Sequence, residues 1–419
     1  MVKKLFTNIT LFLLVFVIVS LCADLYYYDK VLQKDSHYLS QICFSDFRVF
    51  WFAALNLNYI RGSPVGKYTI YNKGVEYYHF RYAPSVAYFM LPFAKTMNQG
   101  VALLRWSSII NILFLLSLTL VVVQLRKDFS LSDVDQFIIL WGSFIAGLRF
   151  YLLNIQLGQT DIPVLFLFTL FLVCYLRKRE ILCGTILALI LQFKLFFLPV
   201  LFYFLITGRM KIILSTLLSF VVLLFLPAHL VGSENMIKIL KEWVDILGMS
   251  VPSQILNIKN QSIVYFASLT LLRNNSISGF FTSPKHLFYL ISAILTIVLY
   301  IFMARVRRAC EKEERARFKY LEVSVLILAS LLLSPITWKA HFASLVIPVS
   351  IAILFAIKSD KKNVIYALLG SFFVLSCLAG TDVTKFIPLL DDLNILNIAV
   401  GTIFLALALV CGYRTWADK

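Results

Sequence analysis

The sequence predicts an all-α polytopic membrane protein, and three observations carry that prediction. Of its 419 residues 60% are hydrophobic, and the mean hydropathy is +0.85, far more apolar surface than one soluble core can bury. Apolar runs approaching bilayer length recur from one end of the chain to the other. The basic residues, 39 Lys and Arg against 22 Asp and Glu, sit in short clusters between those runs. Positive charge arranged in this way marks cytoplasmic turns between spans, not a nucleic-acid-binding face.

The first run follows "MVKK" and extends to Ala23. It is longer than the apolar part of a signal peptide, and "SLCAD" is a poor cleavage or lipidation site, so an uncleaved first span is expected. Further candidate spans lie near 101–125, 136–153, 161–176, 211–227, 286–305, 320–334, 342–357, 363–380 and 394–412. Basic clusters at 125–128, 177–180, 207–211, 304–319 and 358–362 are all expected on the cytoplasmic side. That constraint turns 181–207 into a broken hairpin, because a single helix would put the clusters at its two ends on opposite faces. Ile181 to Phe193 rises, Leu195 to Thr207 descends, and Lys194 marks the turn, each arm being about 20 Å long. Residues 83–98, with two prolines, read as a half-length or re-entrant helix. With both termini cytoplasmic the total is about 12 spans in a single integral-membrane domain.

Seven cysteines, Cys22, Cys43, Cys174, Cys183, Cys310, Cys377 and Cys411, show no ligand-like spacing and read as apolar fillers. No phosphate-binding loop, dinucleotide motif, HExxH or GxSxG is present in the sequence, which argues against nucleotide-driven chemistry.

Four stretches that this topology places outside are rich in residues that can do chemistry: 24–82, the turn at 154–161, 228–285 and the turn at 335–342. In "SDFRVFWFAALNLNYIRGSPVGKYTIY", Phe47, Phe50, Trp51, Ala54 and Leu55 recur at helical spacing. This predicts an interfacial helix with its rings in lipid and Asp46 near its N-terminus. Asp46 is then either a helix cap or a carboxylate placed at headgroup level to take a proton from a substrate hydroxyl. Arg48, Arg81, Lys194 and Lys339 suit a lipid-linked phosphate, or else snorkel at helix ends. Gln159 and Asp161, in "NIQLGQTDIP", offer hydrogen bonds to sugar hydroxyls, although Asp161 could equally cap the helix that follows. Asn260 and Gln261 begin an Asn-Gln-Ser triplet that also fits a glycosylation sequon. Trp338 supplies a ring face for a sugar to stack on, with Lys339 and His341 close by in sequence.

Taken in order, "SDFRVFW", "RGSPVGKY", "FRYAPSVAYFMLPF", "QLGQTDIPVLF", "GTILALILQFKLFFLP", "NQS" and "LLSPITWKAHF" resemble glycosyltransferase family 87, the mannosyltransferase-like group of the GT-C superfamily. The resemblance runs from about residue 40 to about residue 350 and implies a GT-C-like helix bundle. It also implies inverting transfer of a hexose, mannose in particular, from a polyprenyl-phosphate donor to a lipid-linked or glycan acceptor outside the cytoplasm. The expected location is the bacterial inner (plasma) membrane. No cofactor is expected beyond the donor, and a divalent metal is left open. Asp46 matches the family's catalytic base. Arg81, Tyr82, Gln159, Asp161, Lys194, Asn260, Gln261, Trp338 and His341 lie on or beside its other motifs. The chain departs from the family in having Tyr82-Ala83-Pro84 where Tyr-Pro-Pro is frequent, Asp161 where Asn is common, and its proline after Lys194 displaced to Pro199. Two other functions compatible with these residues are pentose transfer, such as arabinofuranose, and transport or flipping of lipid-linked sugars.

Overall fold

The computed structural model describes residues 2–32, 45–61, 63, 69–71, 80–94, 99–255, 260–263, 265, 284–309, 314–334, 336–378 and 397–417. Cys43, Cys310 and most of "RGSPVGKY" lie outside them. Among the described residues the regular structure is helical throughout. The α-helices are α1 (Val2–Leu32), α2 (Ser45–Ile60), α3 (Pro84–Phe89), α4 (Leu91–Ala94), α5 (Gln99–Phe129), α6 (Asp133–Leu157), α7 (Asp161–Leu176) and α8 (Glu180–Phe193). They continue with α9 (Pro199–Ile206), α10 (Met210–Leu224), α11 (Ala228–Val231), α12 (Ser233–Ile255), α13 (Pro284–Ala309), α14 (Glu314–Leu333), α15 (Val346–Lys358), α16 (Lys362–Phe372) and α17 (Asn397–Ala417).

Six segments among the described residues are long and apolar enough to cross a bilayer: Thr10–Tyr27, Gly100–Phe129, Asp133–Leu157, Met210–Val231, Lys339–Lys358 and Ile398–Trp416. They make this a multi-pass membrane protein. Helix length alone does not reach the expected count of about 12. The 16 residues of α7 and the 14 of α8 rise only about 24 and 21 Å at 1.5 Å per residue, short of the hydrocarbon thickness.

The five basic clusters gather at one end of the bundle. Arg209 pairs with Glu180 at 2.6 Å, so α8 leaves and α9 returns to the same level, as a broken hairpin requires. Arg307 binds the buried Glu322 at 2.5 Å and the Tyr175 hydroxyl at 2.9 Å, and Lys319 reaches the Tyr175 carbonyl at 3.4 Å. Tyr320 donates to Asp128, and Lys358 lies 3.9 Å from Asp135. Because α7 runs from Asp161 toward this basic end and α8 runs away from it to the break at Lys194, Asp161 and Lys194 both lie at the far end of the bundle.

Two local expectations change. The first helix does not stop at Ala23 but continues to Leu32, because Asp24 is satisfied inside the bundle by Ser107 and by Asn111, the latter at 2.9 Å. A carboxylate with two donors need not end a helix. In α2 the aromatic stripe turns inward: Phe47, Phe50, Ala53, Ala54, Leu57 and Ile60 are buried in protein. Phe47 stacks on Trp106 and Phe50 meets Tyr82 edge-on at 4.7 Å, while Phe52 and Tyr59 are exposed on the opposite side. Amphipathic spacing identifies an apolar face without saying whether lipid or protein covers it.

Candidate active site

The site is assembled where the ends of several helices meet. The capping box of Ser132 and Asp135 starts α6. The helix ends at Gly158 in the left-handed region, φ 66°, and the chain turns at once into α7. A Cβ on Gly158 would lie 2.5 Å from the Phe47 Cβ, so glycine is needed here both for its backbone angle and for the close approach of α2. The Gly158 carbonyl also accepts the Trp106 indole N–H at 3.1 Å. Phe47, packed against Gly158 and stacked on Trp106, seats the first turn of α2 against the α6–α7 turn and brings Asp46 to Gln159. Gly158→Ala should cost about 1–2 kcal/mol from backbone strain alone, and the clash should move Asp46. A lower melting temperature in detergent, together with reduced turnover, would show it.

A short segment, Phe80 to Ala83, carries Arg81 and Tyr82 and is held on three sides. The Tyr71 hydroxyl donates to the Tyr82 carbonyl at 3.0 Å, the Trp243 indole to the Arg81 carbonyl at 3.1 Å, and the Ala83 N–H to the Gln192 carbonyl at 3.3 Å. Gln192 also accepts from Ser85 at 2.6 Å and donates to the Phe220 carbonyl at 3.1 Å. Sequence reading passed over Gln192, Tyr71 and Trp243. Only Gln192 carried a signal, as a polar residue inside "ILALILQFKLFF".

Lys194 breaks the path from α8 to α9 in an extended conformation (φ −143°, ψ 90°), followed by a 3-10 turn over Leu195–Phe197. Its ammonium lies 3.1 Å from Asp161, with the two side chains 5% and 3% exposed. It also lies 3.4 Å from the Tyr82 hydroxyl. Asp161 is the first residue of α7, and its own N–H is held by Asn154 Oδ1 at 3.2 Å. The carboxylate serves Lys194, and its Oδ2 has no protein partner. Tyr82 donates to Gln159 Oε1 at 3.3 Å, and Gln159 Nε2 donates to Asp46. Asp46, Gln159, Tyr82, Lys194 and Asp161, drawn from four separate stretches of chain, thus form one continuous polar chain.

The other expected residues surround it. The Arg81 guanidinium is half-buried, and its Nε has no partner. His341 stacks on Phe196 at 4.9 Å, and its Nδ1 accepts the Trp338 N–H at 3.2 Å, so in the neutral ring Nε2 carries the proton and is a donor. Trp338 and Lys339 are half-buried beside it in sequence. Asn260 serves the backbone: its Oδ1 accepts from Ser262 N–H at 3.1 Å and from Thr337 N–H at 3.0 Å. Gln261 donates its N–H to the Thr337 carbonyl at 2.7 Å, while its side-chain Oε1 is buried without a partner. Arg48 stands two residues beyond Asp46, and among the described residues no hydrogen bond or ion pair joins it to the polar chain.

A family model for glycosyltransferase family 87 matches residues 80–335, more than half of the protein. The chain belongs to glycosyltransferase family 87. None of the curated proteins matches it. The family 87 match takes in Arg81, Tyr82, Gln159, Asp161, Lys194, Asn260 and Gln261. Asp46 precedes the matched region, and its place in this glycosyltransferase's site rests on its contact with Gln159.

Burial pushes the Asp46 carboxyl up to about 6, against the opposing pull of Lys194, Gln159 and Arg81; Asp161 adds to the rise. Burial also raises the Tyr82 hydroxyl, more than Lys194 lowers it, which keeps it a protonated donor. Were Asp46 to act as a base it would have to be ionised, and kcat/KM would then fall as pH drops through about 6. A carboxylate at its ordinary value would hold activity to about pH 4. A pH–rate profile of the free enzyme measures that limb.

Proposed function

We propose that this glycosyltransferase transfers a hexose, mannose in particular, from a polyprenyl-phosphate donor to a hydroxyl of a lipid-linked or glycan acceptor on the extracytoplasmic face. The observation that carries this reading is a carboxylate of raised proton affinity, Asp46, held by Gln159 in a site that also contains an unpartnered guanidinium N–H on Arg81. Asp46 takes the acceptor hydroxyl's proton as that oxygen bonds to the anomeric carbon. The bond from that carbon to the phosphate oxygen breaks on the opposite face, so configuration inverts and the polyprenyl phosphate leaves with the electron pair.

Charge gathering on the departing phosphate needs donors already in place. Arg81 Nε is the best-supported of them, since a buried N–H without an acceptor is costly and an incoming phosphate oxygen would satisfy it. His341 Nε2–H, Lys339 and Arg48 are further phosphate contacts in this reading. Buried oxygens without protein partners, on Asp161 and Gln261, match the hydroxyl donors of a sugar, and Trp338 offers its ring face.

The test is to incubate purified protein with polyprenyl-phosphate mannose, polyprenyl-phosphate arabinofuranose and a panel of acceptors. Transfer of mannose with release of polyprenyl phosphate is expected. Transfer of arabinofuranose alone would establish the pentose reading, and movement of intact donor across proteoliposomes without bond cleavage would establish a transporter.

A further inference from the structure

Two obligatory donors fix the direction of the hydrogen bonds between Lys194 and Asp46. An ammonium group only donates, so the Tyr82 oxygen accepts from Lys194 at 3.4 Å, and its own proton goes on to Gln159 Oε1 at 3.3 Å. The Thr160 backbone N–H donates to the same Oε1 at 3.3 Å. This identifies that atom as the amide oxygen and leaves the amide nitrogen facing Asp46, to which it donates. All three links therefore point the same way, from cation to carboxylate, and bonds aligned in this manner polarise one another.

These groups are also largely occupied. Asp161 matches the charge of Lys194 at 3.1 Å, and Gln159 Oε1 already has two donors. The charged groups acting on Asp46 are Lys194, Asp161 and Arg81. Tyr82 and Gln159 are neutral, so replacing either changes the link without changing the charge.

We propose that Tyr82 and Gln159 are positioning residues that form a one-way relay from the Lys194 ammonium to the Asp46 carboxylate, holding the base ionised and aiming its second oxygen at the acceptor hydroxyl. The relay takes Lys194, Tyr82 and Gln159 out of direct substrate contact and leaves phosphate capture chiefly to Arg81. It rests on the reading of Asp46 as the base, but its test requires no turnover.

Dicyclohexylcarbodiimide modifies protonated carboxyl groups in apolar surroundings, so the pH at which labelling of Asp46 falls by half, followed by mass spectrometry on the full chain in detergent, gives its titration midpoint. Tyr82→Phe keeps the ring and removes the relaying hydroxyl, and the midpoint should rise by about half to one pH unit. Gln159→Leu, which also removes the last link, should raise it by about one unit or more. Incorporating 3-fluorotyrosine at position 82, nearly isosteric and a stronger donor, should move the midpoint down, which keeps the test available should Tyr82→Phe fold poorly. A midpoint that moves with Gln159→Leu but with neither change at Tyr82 would overturn the relay and leave a simple Gln159–Asp46 bond. Shifted midpoints in a protein whose Asp46→Asn form still transfers sugar would uphold the relay and defeat the base assignment.

Discussion

Asp46→Asn is expected to lower turnover by about 10²–10⁴-fold, the usual contribution of a general base, with donor binding nearly unchanged. Asparagine has almost the same shape, and its Oδ1 can still accept from Gln159 Nε2, so the seat formed by Phe47 on Gly158 and Trp106 is undisturbed. What disappears is the lone pair that takes the acceptor proton. Burial already raises the carboxyl to about 6, so the neutral amide also relieves a desolvation cost, and the variant should melt no lower than wild type. Turnover near the wild-type rate in a protein of unchanged stability would remove Asp46 from the mechanism. A large fall in melting temperature would show instead that the carboxylate is structural.

The elements were legible in the sequence to different degrees. Helix positions followed from apolar runs, because lipid and protein both demand a continuous apolar face and the backbone has to satisfy itself. The break at Lys194 was legible because charge clusters at 177–180 and 207–211 have to lie at one end, and the Arg209–Glu180 pair brings them together. The orientation of α2 was not. Spacing alone cannot distinguish a face covered by lipid from one covered by Trp106, Phe80 and Tyr82. The number of full-length spans was also hidden, since a run such as 161–176 reads as a span although its helix is shorter than the bilayer. In the candidate site, the residue types pointed to segments that the fold brings together, but their partners did not emerge. Lys194 read as a cation awaiting phosphate because the sequence could not show that Asp161, 33 positions earlier, would lie 3.1 Å from it. Gln192, Tyr71 and Trp243 were missed for a related reason: each acts on a backbone group of a distant segment, and such pairings leave no local pattern.

The buried pair of Lys194 and Asp161 underlies the second large effect. Lys194→Met keeps the length and volume of the side chain but leaves the Asp161 carboxylate, 3% exposed, facing no cation. Breaking a buried ion pair from one side costs about 3–5 kcal/mol, against at most about 1 for an exposed pair. Part of that cost should be local, because Asp161 opens α7 and Lys194 closes α8, and the two helices meet there. Replacing both partners, Lys194→Met with Asp161→Leu, removes the uncompensated charge and should restore most of the lost stability, since well-packed apolar residues often equal a buried ion pair. Turnover should stay low in the double variant, because the cation at the head of the Tyr82–Gln159–Asp46 chain is gone. Thermal melts in mild detergent, run beside sugar-transfer assays, separate these effects. A single variant as stable as wild type would mean that the pair adds nothing. A double variant no more stable than the single would trace the loss to poor packing of methionine at the α8 break, not to charge.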